Sequence, residues 1–195
     1  MCCPWFLQGN QSVKCWVNRE GEATHTLTVL VENTPGILAR VAGLFSRRGF
    51  NIDSLAVGRS EDPGISRMTI VVEGDSRILE QVSKQLHKLV DVIKIIDITK
   101  DDYVDRELVM IKVNAEAANR SEIMQLVDIF RARIVDVGAK SLTIEVTGYG
   151  SKINAFENSL RPFGIKEMVR TGKVAMLRGF RATTATEHLK KGGNK

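Results

Sequence analysis

Cysteine is scarce in this chain of 195 residues: Cys2, Cys3 and Cys15 are the only three, all lie near the start, and none makes a C-x2-C pair. An odd count confined to one end points to a reducing compartment. Long apolar runs are missing too, since nothing approaches the roughly 18 residues that span a membrane. The opening "MCCPWFLQGNQ" has neither the basic start nor the hydrophobic core of a secretion signal. These absences predict a soluble, cytoplasmic protein, with the plastid stroma as the alternative should the short leader be a transit peptide.

The residues that catalysis requires are equally thin. His25, His87 and His188 show no H-x3-H or H-E-x-x-H spacing. Each reads as a surface residue. Paired carboxylates occur only in "EDPG" and "KDDY", both turn or linker text, and no G-x-S-x-G, Walker loop or G-x-G-x-x-G is present. The pairs "GFRATT" and "GYGSK" are too short and isolated to replace one. The net charge of +5 suggests nucleic acid until it is located: residues 178–195 alone carry +4 of it, leaving a nearly neutral body. Strands that would stack on RNA bases, "SRMTIVVEG" and "LTIEVTG", hold no aromatic residue.

What is present is a pattern, and it occurs twice. Residues 1–23 have no period and form an N-terminal extension. From Thr24, "HTLTVLV" alternates as a half-buried strand, and Ile37, Leu38, Val41, Leu44 and Phe45 then recur at helical spacing up to a stop at Gly49. "FNIDSLAV" is a strand whose apolar parity changes midway, which implies a bulge or two-sided burial. Met68, Ile70 and Val72 make a third strand. Asp75 or Ser76 can cap a helix with Ile78, Leu79, Val82, Leu86, Leu89 and Val90 on one face, and "DVIKIIDI" closes the unit.

The same β-α-β-β-α-β order follows in "LVMIKV", a helix opened by a capping box of Asn119 and Glu122, "IVDV", "LTIEVT", the short helix "SKINAFENSL" and a last strand in "IKEMVRTGKVAML". The expected architecture is therefore α+β, two successive ferredoxin-like βαββαβ domains at residues 24–98 and 107–177. A charged linker, residues 99–107, joins them, and residues 178–195 form a basic flexible tail.

One turn remains to be explained. In "VENTPGILARV" a strand runs through Asn33-Thr34-Pro35-Gly36 into a helix. As a plain connector, Asn33 caps the helix, Pro35 sets the first-turn φ and Gly36 relieves crowding. As a site, the N–H groups of Gly36, Ile37 and Leu38 receive a small carboxylate with the helix dipole assisting. Asn51 after the same helix then offers an amide to the ligand's ammonium, and Ile52 or Ile37 an apolar wall. Spacing alone leaves both readings open.

The run from "HTLTVLVENTPGILARVAGLFSRRGFNIDSLAVG" to "DPGISRMTIVVEGD" resembles the ACT domain of the acetolactate synthase (acetohydroxyacid synthase) small subunit. "DRELVMIKVNA", "FRARIVDV", "SLTIEVTG" and "VRTGKVAML" resemble the C-terminal domain of the same family, so the likeness covers residues 24 to about 177. The resemblance implies a non-catalytic regulatory subunit that forms a homodimer through its ACT domains. It implies feedback inhibition by branched-chain amino acids, valine and in some lineages leucine, with no cofactor in this chain. Thiamine diphosphate, FAD and magnesium belong to the partner large subunit, which condenses pyruvate with pyruvate or 2-oxobutanoate.

Carried over by position, the effector contacts are Asn33, Gly36, Ile37 and Leu38 of one chain, with Asn51 and Ile52 across the dimer junction. The two ends depart from the family pattern, which leaves tail contacts to the large subunit unassigned. The rival from another class is a free-standing amino-acid sensor acting on a transcription or translation partner.

Overall fold

The computed structural model describes residues 24–180. The extension at residues 1–23, His188 and most of the basic tail lie outside the described residues.

In the first domain β1 (Thr24–Glu32), α1 (Ile37–Arg48), β2 (Ile52–Arg59), β3 (Ile65–Glu73), α2 (Ser76–Leu86) and β4 (Val92–Asp97) follow in the expected order. The strands form an antiparallel sheet ordered β2-β3-β1-β4. Leu27, Val29 and Val31 of β1 pack with Val41, Leu44 and Phe45 of α1 and with Val82 and Leu86 of α2. Each fully buried side chain of this size contributes about 1.5–3 kcal/mol against exposure, which outweighs helix propensity as the reason these helices lie down. Asp75 Oδ1 accepts the N–H groups of Arg77 and Ile78 at 3.0 and 2.9 Å, the predicted cap of α2. The parity change in β2 is a bulge: Ile52 pairs with Val72 and Ser54 with Val71, leaving Asp53 as the extra residue.

The second domain repeats the plan with β5 (Tyr103–Asn114), α3 (Arg120–Ile129), β6 (Arg133–Val137), β7 (Ser141–Gly148), α4 (Gly150–Leu160) and β8 (Ile165–Arg170). Its sheet order, β6-β7-β5-β8, is that of the first sheet element for element. The core gathers Val109, Ile111, Val113, Ile123, Val127, Ile144, Ile153 and Phe156, with Phe130 and Phe156 rings 5.0 Å apart.

Several expectations change. Residues 103–107, expected in the linker, belong to β5. Their charges hid the strand, yet Glu107 lies 3.2 Å from Arg170 and Asp105 lies 3.7 Å from Lys173, partners remote in sequence. The single last strand is two, β8 and β9 (Val174–Leu177), separated at Gly172 with φ +84°. β8 pairs with Val109–Val113 of β5, and β9 with Tyr103–Arg106.

The capping box at α3 does not form. Asn119 has φ −109° and ψ −5°, not the extended cap conformation, and it makes no side-chain cap bond. Arg120 instead anchors that helix start, donating to the carbonyls of Ala115, Gly138 and Ala139 at 3.1, 2.9 and 3.0 Å. His25, expected at the surface, is buried in β1 opposite Val72, while His87 is exposed as expected.

The second face of the first sheet is buried as well, at Thr26, Thr28, Leu30, Thr69 and Val71. The start of β5 and β9 reach this side, where Arg67 donates to the Ala175 carbonyl at 3.3 Å and Tyr103 hydrogen-bonds with Thr26. Among the described residues no helix is long and apolar enough to cross a membrane.

Candidate functional site

The turn after β1 is held by its backbone. Asn33 N–H donates to the Gly64 carbonyl at 2.8 Å, and Thr34 N–H to the Glu32 carbonyl at 2.9 Å. The Asn33 side chain donates to the Pro63 carbonyl and accepts from Ser66 Oγ, each at 3.2 Å. Asn33 therefore fastens the turn to the β2–β3 hairpin and does not cap α1. The cap position belongs to Gly36, at φ +82° and ψ −2°, and Pro35 precedes the first helical turn. A Cβ placed on Gly36 meets nothing within 4 Å, so glycine answers a left-handed backbone and not crowding.

This helix start is open. The Ile37 N–H, expected free, reaches the Thr34 carbonyl at a long 3.4 Å, and the N–H groups of Gly36 and Leu38 meet no backbone acceptor among the described residues. No acidic residue sits in the first turn of α1. Arg40, one turn on, reaches Asp91 Oδ1 at 2.8 Å and Thr34 Oγ1 at 3.5 Å. Amide hydrogens, the positive end of α1 and a nearby guanidinium together suit a small anion. Of the two apolar residues here, Ile37 is buried in the core and Leu38 is 44% exposed, so Leu38 is the one open at the surface of the turn.

Asn51 and Ile52 stand at the other end of the helix, after the C-cap Gly49. Asn51 Nδ2 donates to Glu73 Oε2 at 3.3 Å, and Ile52 is half-buried at the start of β2. The 12 residues of α1 separate the two groups by about 18 Å at 1.5 Å per residue. Within one chain, then, Asn51 and the turn at Gly36 do not share one pocket. The six residues form two clusters at opposite ends of the same edge, bounded by α1 and the edge strand β2.

Arg40 was missed in the sequence, although its place four residues after Gly36 marks it as a neighbour on the same helix face. A second feature had no sequence signal at all. A cavity of about 340 Å3 lies between the domains, lined by Asp53, Ser54, Leu55, Glu107, Arg170, Thr171 and Gly172. Among the described residues no three His, Cys, Asp or Glu side chains are placed to hold a metal ion.

A four-stranded antiparallel sheet of this order, with both helices packed on one face, defines a ferredoxin-like domain, the fold class to which ACT domains belong. The chain matches the family described as "AHAS small subunit-like ACT domain" over residues 27–94 and that described as "Small subunit of acetolactate synthase" over residues 106–179. It is 58% identical over 159 residues to a probable acetolactate synthase small subunit of Methanothermobacter thermautotrophicus, covering 81% of this chain and 95% of the relative. It is 57% identical over 161 residues to the acetolactate synthase small subunit of Mycobacterium leprae, covering 83% and 95%. The crystal structure of the acetolactate synthase small subunit from Thermotoga maritima superimposes with a TM-score of 0.75 at 46% identity, over 81% of this chain and 99% of that one. The chain belongs to the acetolactate synthase small-subunit family.

Proposed function

We propose that this chain is the regulatory subunit of an acetolactate synthase, without catalytic residues of its own. It activates a catalytic large subunit that carries thiamine diphosphate, FAD and magnesium, and it makes that subunit sensitive to valine, with leucine as a second effector. The observation that carries this reading is the open, glycine-started end of α1 with Asn51 at its far end. A two-fold axis beside α1 and β2 sets two such helices antiparallel, so the Gly36 end of one chain faces the Asn51 end of its partner. Two equivalent pockets result from one contact.

In each pocket the effector's carboxylate is bound by the amides of Gly36 and Leu38. The carbonyl oxygen of Asn51, whose amide nitrogen is already held by Glu73, accepts from the ammonium. Leu38 and Ile52 flank the side chain. Selection among aliphatic side chains is coarse, because one methylene is worth about 1–3 kcal/mol. Binding inhibits only to the extent that it favours one subunit arrangement over another.

The test is an assay of the cognate large subunit with and without this chain across a valine series. Activation by the chain alone, followed by loss of rate as valine is added, is expected. A rate indifferent to the chain would overturn the proposal.

A further inference from the structure

Ser54 lies just past the bulge at Asp53, two residues beyond Ile52, and its hydroxyl accepts the Lys173 backbone N–H at 2.9 Å. Gly172 is seated against the same spot. A Cβ on it would stand 2.8 Å from Ser54 Oγ and 3.4 Å from the Leu55 carbonyl oxygen, and its φ is +84°. The break between β8 and β9 is thus shaped to rest on β2.

That break is tied to its own domain on both flanks. Arg170 pairs with Glu107 at 3.2 Å and Lys173 with Asp105 at 3.7 Å, and both carboxylate side chains are about nine-tenths buried. Separating either pair would leave a poorly solvated charge, so the segment moves with β5. On the other side, the bulge leaves Asp53 unpaired and interrupts the ladder between Ile52 and Ser54, so the start of β2 is held to β3 less fully than the rest of the strand. Ser54 is where the bulged start of β2 meets a segment fastened to the second domain by two ion pairs with buried carboxylates.

Resting on the reading that Asn51 and Ile52 touch an amino-acid effector, we propose that Ser54 is a positioning residue that passes effector occupancy from the first domain to the second through its bond to Lys173. Ser54 need not touch the ligand. Its loss would disconnect binding from response.

The experiment uses the complex of full-length chain and large subunit, with valine as the probe. Ser54→Ala is expected to bind valine calorimetrically as the wild type does and to activate the large subunit equally without valine. Its inhibition at saturating valine should fall toward none, from the roughly fivefold or greater effect typical of an allosteric pair. Ser54→Thr, which keeps a hydroxyl acceptor, should restore inhibition. Full inhibition of the Ala variant overturns the proposal, as does an equal loss of activation, which would mark a plain structural contact. If the wild-type chain itself bound no valine, the effector reading beneath the proposal would fall first.

Discussion

The Asp91 carboxylate receives the Arg40 guanidinium at 2.8 Å and so ties the first turn of α1 to the entry of β4. The pair is partly in water, with side chains 48% and 20% exposed. Arg40→Ala should therefore cost less than about 1 kcal/mol in urea unfolding. The same change removes a cation beside the proposed carboxylate position, and valine affinity should drop about threefold, as expected for one charge at an exposed site. Calorimetry beside a urea titration separates the two effects.

Gly36→Asp tests the pocket directly. The position has room for a side chain, and aspartate tolerates the left-handed region better than most residues, so the penalty is about 1–2 kcal/mol and the fold survives. The new carboxylate occupies the place of the effector's own. Valine inhibition should vanish while activation of the large subunit persists, and unchanged valine affinity by calorimetry would refute the pocket.

Phe156 is fully buried and packs on Phe130. Phe156→Ala should destabilise the second domain by about 3–5 kcal/mol. The first domain has its own core. Amide exchange should accordingly rise across β5–β8 well before it rises across β1–β4.

Burial holds the Tyr103 phenol above its ordinary value of 10.0; a hydrogen bond with Thr26 opposes this, and Asp105 and Asp97 add to it. The folded chain thus keeps that proton more tightly than the unfolded chain does. Its contribution to stability is whole below about pH 10 and is lost as pH rises through the raised value. The urea midpoint should fall above that pH, and Tyr103→Phe should flatten the fall.

The repeated βαββαβ plan was legible because each strand and helix carries its own period: Leu27, Val29 and Val31 alternate, and Val41, Leu44 and Phe45 recur at helical spacing. What escaped depends on partners far along the chain. Asp105 and Glu107 look like linker until Lys173 and Arg170 are placed beside them. Asn33 looks like a cap until Pro63 and Ser66 claim its side chain. At the candidate site the six residues and their places before and after α1 were readable from the sequence, whereas the burial of Ile37 in the core and the neighbouring Arg40–Asp91 pair needed coordinates. Ser54 and Gly172 gave no local signal, because their contact joins two domains.

The distance along α1 between Gly36 and Asn51 has a consequence for dosage. On the proposed reading a lone chain holds two unlike halves of a pocket and no whole one, so amino-acid sensing begins only once two chains meet. Sensitivity then depends on how much of the subunit a cell makes as well as on how much valine it holds. On that reading scarce subunit would leave the large subunit both unactivated and insensitive to valine, and raising its expression would lower the valine level at which inhibition sets in.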